Sequence, residues 1–190
     1  PLMKVSDRLT DIAELVLEAA LLIAWRELAD RHGEPGCTEN GIRRPARFAI
    51  IAYGKLGGLE LGYGSDLDLV FLNDSAGEAE QTDGEHPLDN TMFFARLTRR
   101  MISILTMHTA SGKLYDVDIR LRPSGQSGLM VSSLAAFDRY QQQDAWTWEH
   151  QALLRSRAVA GDAGVKAAFE KLRVHALTSY VRRDKLATEV

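Results

Sequence analysis

The fold around the candidate site is decided by the stretch Gly54-Lys55-Leu56-Gly57-Gly58-Leu59-Glu60-Leu61-Gly62-Tyr63-Gly64-Ser65-Asp66-Leu67-Asp68-Leu69-Val70-Phe71. A glycine-rich turn leads into an apolar strand that begins with two carboxylates. Because side chains alternate along a strand, Asp66 and Asp68 share one face, and Leu67 and Leu69 point to the other. Adjacent carboxylates repel each other unless a cation lies between them. The pair therefore predicts a site for Mg²⁺ that carries a nucleoside triphosphate.

A second strand is predicted directly before the glycine turn. Residues 48–53 are a continuous apolar run between Pro45 and Gly54, which is typical of a strand buried on both faces. Before it, apolar residues recur at near-helical spacing over about 6–29 and predict one long helix. The segment Glu34-Pro35-Gly36 between the two is expected to be a loop.

Short helices and strands are predicted after the strand that carries Asp66 and Asp68. Residues 73–90 are expected to be a polar excursion, and Asp89 or Asn90 then caps a helix. Residues 114–122 alternate apolar and charged side chains, which predicts a third strand. The remaining elements are a short strand at 129–131, a helix that begins at a Ser132 or Ser133 cap, and helices over about 146–159 and 163–180.

Composition excludes several classes of protein. A chain of 190 residues with 45% hydrophobic and 26% charged residues can build one core with an appended element. Cys37 has no second cysteine to pair with and is expected to be a loop thiol, and the five histidines lack the spacing of zinc ligands. We find no signal peptide or membrane-spanning run, which favours the cytosol, and a net charge of −3 disfavours nucleic acid as a partner.

Charged residues of the third predicted strand would complete a site for phosphoryl chemistry. Asp116 and Asp118 share its exposed face, so either can supply a third carboxylate. Arg120 and Arg122 can hold phosphate through bidentate hydrogen bonds, and the alternative is that they form a solvated face or ion pairs with these acids. The glycines of the turn, Gly54, Gly57 and Gly58, let backbone N–H groups approach phosphate closely.

Three motifs in the same order resemble the glutamate–ammonia-ligase adenylyltransferase family, within the nucleotidyltransferases of the DNA polymerase β type. They are Ala52-Tyr53-Gly54-Lys55-Leu56-Gly57-Gly58 through Ser65-Asp66-Leu67-Asp68-Leu69, Leu114-Tyr115 through Asp118-Ile119-Arg120-Leu121-Arg122-Pro123-Ser124-Gly125, and Trp146-Thr147-Trp148-Glu149-His150-Gln151-Ala152-Leu153. The resemblance covers most of the chain, from about residue 48 to 161.

The resemblance implies an α+β fold, a small mixed sheet with flanking helices that is followed by the start of a helical bundle. The implied domains are an N-terminal helix at 1–33, a nucleotidyltransferase domain at 34–143 and the start of the helical domain at 144–190, within a larger enzyme with two catalytic domains. The implied metal ligands and catalytic residues are Asp66, Asp68 and Asp118, with Asp118 chosen over Asp116. The implied nucleotide-binding residues are Gly54, Lys55, Gly57, Gly58, Ser65, Arg120 and Arg122, and the family's Gly-Ser phosphate turn is Gly54-Lys55 here.

The implied activity is transfer of AMP from ATP to a tyrosine of glutamine synthetase, with two Mg²⁺ ions. Tyr63-Gly64-Ser65-Asp66 and the tryptophan motif at 146–151 resemble the carboxy-terminal, AMP-adding half of the family rather than the removing half. The full enzyme would also respond to the nitrogen-signalling PII protein and to glutamine. Three alternatives stay open, which are phosphorolytic removal of AMP, a nucleotide-binding module without turnover, and transfer to a small-molecule hydroxyl.

Overall fold

The structure is a computed structural model that describes residues 2–110 and 112–179. Its helices are α1 (Leu2–His32), α2 (Gly54–Gly57), α3 (Asn90–Thr106), α4 (Leu134–Gln143), α5 (Thr147–Leu153) and α6 (Ala163–Ser179). Its strands are β1 (Pro35–Glu39), β2 (Ile42–Pro45), β3 (Phe48–Ala52), β4 (Leu67–Asn73), β5 (Glu78–Thr82), β6 (Val117–Asp118), β7 (Val131–Ser133) and β8 (Arg157–Gly161). The predicted α+β class, with a mixed sheet and flanking helices, is confirmed.

A five-stranded mixed sheet forms the centre of the fold. The strand order is β6-β4-β3-β8, and β7 pairs with β4 on the same edge as β6. Strand β3 lies antiparallel to both β4 and β8, whereas β6 and β7 run parallel to β4. A smaller antiparallel sheet has the order β2-β1-β5. The two strands predicted around the glycine turn are therefore paired neighbours.

Helices cover both faces of the central sheet. Phe48, Ile50 and Ala52 of β3 pack into the core that α1 and α3 share. Ala49 and Ile51 face the opposite core, which contains residues of α4, α5 and α6. All five residues of β3 are buried, as the continuous apolar run predicts.

The long N-terminal helix places only some of its apolar residues against the core. The residues that α1 buries are Thr10, Ala13, Leu17, Ala20, Leu21 and Ala24, whereas Ile12, Leu15, Leu22 and Ile23 are about half exposed or more. Because α1 has apolar residues on two sides, periodicity alone cannot show which side meets the core. No helix in the described part of the chain combines the length and apolarity that crossing a membrane requires.

Four local predictions are wrong, and strand pairing overrides the local pattern in three of them. The expected loop at 34–36 is the start of β1, where Cys37 is a fully buried strand residue and not a loop thiol. The polar excursion contains β5, which pairs with β1. The helix predicted over 146–159 ends at Leu153, and its last three predicted residues belong to β8, which pairs with β3. The strand predicted over 114–122 is reduced to β6, because the chain turns at Arg120.

Two helix boundaries are close to those predicted. Asp89 caps α3 by accepting a hydrogen bond from the N–H of Thr91, and Ser133 caps α4 by accepting one from Ala136. The helix predicted to residue 180 is described to Ser179, and Tyr180 lies outside the described residues. The domain boundaries at 33 and 143 stay predictions, and β8, beyond the second boundary, hydrogen-bonds to β3.

Candidate active site

The glycine turn that follows β3 lies against the carboxylate of Asp68. Tyr53 donates its N–H to the carbonyl of Asp68 over 2.9 Å. Gly54 follows with a φ of +57°, and a Cβ placed on it would lie 2.3 Å from Asp68 Oδ2. Only glycine satisfies both conditions, because an L side chain is strained at this φ and would collide with the carboxylate. The turn therefore brings backbone directly against one of the candidate metal ligands.

Three carboxylates converge at the same end of the sheet. The parallel register of β4 and β6 places Asp68 opposite Asp118, and Asp66 lies two residues before Asp68. One oxygen from each carboxylate lies within 4.8 Å of the other two. Two oxygens on opposite sides of one Mg²⁺ are about 4.2 Å apart, given Mg–O distances near 2.1 Å. The donor set therefore fits a hard divalent cation.

Asp68 carries negative charge that the protein does not fully balance. Burial, then the charges of Asp66 and Asp118, raise the pKa of Asp68, and Arg120 and Lys55 only partly oppose this rise. A raised carboxyl pKa means that the charged form is disfavoured. A bound cation would reverse this effect, so the electrostatics agree with the donor geometry.

The pKa of Asp118 shifts in the opposite direction, because Arg120 binds its carboxylate. Arg120 Nε lies 2.7 Å from Asp118 Oδ2, and the backbone N–H of Arg120 donates to Asp118 Oδ1 over 2.8 Å. These contacts lower the pKa of Asp118. The side chain is only 17% exposed, and the lowered pKa keeps its carboxylate ionised despite this burial.

Asp116 and Asp118 have different surroundings, although they were equivalent in the alternating pattern. Asp116 is exposed and forms an ion pair with Lys113, and its carbonyl accepts the N–H of Leu67. Only Asp118 of the two belongs to the carboxylate cluster. The geometry therefore agrees with the choice that the family resemblance implied.

An open cleft of about 490 Å³ lies beside the cluster, and Asp66, Asp118, Arg120 and Arg122 are among the residues that line it. Arg122 also braces its own loop by donating to the carbonyl of Ile119 over 2.8 Å. Lys55 is exposed, and its charge lowers the pKa of Asp68. Phosphate contacts by these basic residues stay predictions.

Three other predicted nucleotide-binding residues have structural partners. A Cβ on Gly57 would lie 2.2 Å from the carbonyl oxygen of Arg155, and one on Gly58 would lie 3.1 Å from Arg155 Nε. Ser65 Oγ accepts the N–H of Gly62 and closes that turn. The sequence gives no indication that Arg155 packs closely against the turn, apart from its position just after the tryptophan motif. Whether these three residues touch a nucleotide stays a prediction.

Residues 1–172 match the family model of glutamate-ammonia ligase adenylyltransferase. The chain belongs to this family. Relatives from Thioalkalivibrio sulfidiphilus, Hahella chejuensis and Pseudomonas putida are 58%, 56% and 56% identical to it over all 190 residues. Each is named bifunctional glutamine synthetase adenylyltransferase/adenylyl-removing enzyme.

The family members are much longer than this chain. The chain spans about a fifth of the length of these curated relatives, 19–20% of each. Membership confirms the resemblance that the three motifs predicted.

Proposed function

We propose that this chain catalyses transfer of AMP from ATP to a tyrosine hydroxyl of glutamine synthetase, with release of pyrophosphate. The observation that carries the proposal is the carboxylate cluster beside an open cleft, in a chain whose relatives are named for this activity. The carboxylate cluster also argues against a nucleotide-binding module without turnover, since all three acidic residues that the family uses are present and converge.

The three carboxylates and Arg120 have separate roles in the proposed transfer of AMP. Divalent cations, two Mg²⁺ in our proposal, would offset the charge of the triphosphate and favour loss of the attacking hydroxyl proton. Asp66, which directly precedes β4, and Asp68 on β4 provide two carboxylates, and Asp118 provides a third from the neighbouring strand. The lowered pKa of Asp118 favours a ligand role over a role as proton acceptor. Arg120 is 71% exposed and can reach an anion in the cleft.

The test is incubation of the protein with ATP, Mg²⁺ and glutamine synthetase, followed by intact-mass measurement of the acceptor. We expect one AMP per modified tyrosine, and almost none with Asp66→Asn or Asp68→Asn. Asp116→Asn is the matched control, because it removes a nearby carboxylate that pairs with Lys113 outside the cluster. Unmodified glutamine synthetase, or a normal rate with Asp68→Asn, would contradict the proposal.

Phosphorolytic removal of AMP is the second candidate, because the relatives are named for both reactions. Incubation of AMP-modified glutamine synthetase with phosphate would release ADP if this chain removes AMP. The sequence Tyr63-Gly64-Ser65-Asp66 and the tryptophan motif favour the adding half, so we expect no ADP. Release of ADP without incorporation of AMP would assign the chain to the removing half.

For the whole protein we propose a cytoplasmic location and regulation by the PII protein and glutamine. These proposals depend on the family resemblance. Fractionation of cells and binding of PII to the full protein would test them. Transfer to a small-molecule hydroxyl is tested in the same incubation by replacing glutamine synthetase with small acceptors.

A further inference from the structure

The outer face of α1 carries a regular row of exposed residues, most of them apolar, which we call the α1 seam. Its positions are separated alternately by three and four residues, and all of them are exposed: Val5, Arg8, Ile12, Leu15, Ala19, Leu22 and Arg26. Leu15 is 71% exposed, and Ile12 and Leu22 are each 51% exposed. Alternation of three and four residues is the spacing that paired helices use to pack along their length.

The fold of this chain does not need the α1 seam for its own core. A different face of α1 packs against the central sheet and α3, and its buried apolar residues are Ala13, Leu17, Ala20, Leu21 and Ala24. A helix at the surface of a globular protein usually has polar residues opposite its buried face. Helix α1 instead has apolar residues on both sides, and the described part of the chain buries only one of them.

An open groove runs beside the seam, between α1 and β8. Its volume is about 670 Å³, and the apolar residues that line it are Ile12, Leu15 and Val159. Glu14 of α1 forms an ion pair with Arg157 of β8 over 2.6 Å, so the two walls are joined. The groove is therefore a preformed part of the surface that apolar side chains of a partner can enter.

Arginines at the two ends of the seam argue against a second copy of this chain as the partner. An antiparallel copy that pairs Ile12 with Leu22 would set Arg8 against Arg26, and an in-register parallel copy would set each arginine against itself. Like charges that face each other across an interface are unfavourable. The partner that fits is a different helix, with apolar residues at the same spacing and acidic residues opposite Arg8 and Arg26.

The lengths of the relatives indicate where such a helix comes from. The chain matches them over all 190 residues and spans 19–20% of each, so most of a relative's length lies outside the matched segment. A helix on the same polypeptide is present at a high effective concentration, which favours docking even where the contact is weak.

We infer that the α1 seam is a docking surface for an amphipathic helix from another part of the full-length protein, with acidic residues facing Arg8 and Arg26. The docked helix would bury the exposed apolar residues of the seam and fill the groove beside β8. The inference concerns how the full-length protein is assembled. It does not rest on the proposed transfer of AMP, and its tests measure no activity.

The first test compares cysteine labelling in the middle of the seam, at Ala19, between the 190-residue chain and the full-length protein. Ala19→Cys is treated with a maleimide, and its peptide is followed by mass spectrometry; Cys37 is buried and gives little background. We expect labelling to be at least about tenfold slower in the full-length protein, since docking leaves few molecules open. Arg99→Cys, at an exposed position of α3, is the control and should label equally fast in both. Equal rates for Ala19→Cys in the two proteins, or equal slowing at both positions, would overturn the inference.

A charge within the seam should release the docked helix. Leu15→Glu places a carboxylate among apolar residues of the interface, so we expect labelling of Ala19→Cys in the full-length protein to return to the rate in the chain. In the chain alone, Leu15→Glu should change the Tm little, because Leu15 is already exposed. Leu129→Glu is the matched control, since it makes the same change at a leucine that is 67% exposed and lies outside α1. Slow labelling that persists in Leu15→Glu would overturn the inference.

Reversal of the charge at one end of the seam tests the chemistry of the partner. Arg26→Glu would face an acidic residue of the docked helix, so labelling of Ala19→Cys in the full-length protein should become severalfold faster. Arg99→Glu reverses an exposed charge on α3 and should leave the rate unchanged. An unchanged rate in Arg26→Glu would overturn the acidic character that we assign to the partner.

Other occupants of the seam would give different results with the 190-residue chain alone. A second copy would make the chain a dimer in sedimentation equilibrium, and labelling of Ala19→Cys would slow as the protein concentration rises. A segment of the chain itself would slow this labelling at every concentration. Either result would overturn the inference, and we expect a monomer that labels rapidly.

Discussion

Arg120 holds Asp118 twice, through its guanidinium and through its own backbone N–H. The two residues are separated by only one position, so the turn after β6 itself creates the contact. This arrangement keeps Asp118 ionised and leaves it beside Asp66 and Asp68. The same guanidinium lines the open cleft, where it can meet a second anion.

Replacement of Arg120 by glutamine should make the free energy of unfolding vary less with pH in the acid range. Asp118 has a lowered pKa in the folded protein, so its contribution is present above the ordinary carboxyl pKa of 3.8 and is lost as pH falls through the folded value. Arg120→Gln removes the main cause of that lowering. We expect the variant to be less stable than wild type near neutral pH, with the difference shrinking as the pH falls from 3.8 to the folded pKa. Urea unfolding at several pH values measures this, and a constant difference would contradict it.

Asp68→Asn should leave the cation-free protein at least as stable as wild type. The pKa of Asp68 is raised on folding, so the wild type loses stability as pH rises from 3.8 through the raised folded value. Asparagine removes this charge and its repulsion from Asp66. Thermal unfolding in the presence of a chelator is the measurement. A clearly lower Tm for Asp68→Asn at neutral pH would show that the ionised carboxylate stabilises the fold.

Mg²⁺ should raise the Tm of the wild-type protein through the carboxylate cluster. A ligand at 100 times its Kd stabilises the folded state by about 2.7 kcal/mol. We expect this shift to disappear in Asp68→Asn and to persist in Asp116→Asn, whose carboxylate pairs with Lys113. The measurement is a Mg²⁺ titration followed by thermal unfolding. Equal shifts in all three proteins would place the cation elsewhere.

Gly54→Ala should disturb the site more than the fold. Gly54 and Gly64 both have positive φ, +57° and +69°, so alanine at either position costs about 1–2 kcal/mol in backbone strain. Only at Gly54 would the new Cβ meet Asp68 Oδ2, since nothing lies within 4 Å at Gly64. We therefore expect similar losses in Tm but a loss of Mg²⁺ affinity in Gly54→Ala alone. Titration of both variants with Mg²⁺ checks this, and equal Mg²⁺ affinities would argue against the contact.

Much of the sheet could be predicted locally, and the strands that were not predicted have one cause in common. Residues 48–53 and 67–72 are apolar enough to require burial in any arrangement, and both are strands of the central sheet. Strand β8 contains Arg157 and two alanines and has no such signal. It is a strand because the open edge of β3 pairs with it. Pairing across more than 100 residues of chain is not encoded in a local pattern.

The sequence by itself determined that Asp66 and Asp68 share a face after a glycine turn, because side-chain alternation holds for every strand. It also carried the three motifs that place the chain in its family. Only the tertiary structure decided which further acid joins the pair and what holds it there. The parallel register of β4 with β6 sets Asp118 opposite Asp68 through contacts between segments that are far apart in the chain. Such contacts arise when the segments pack together, so no spacing within one strand predicts them.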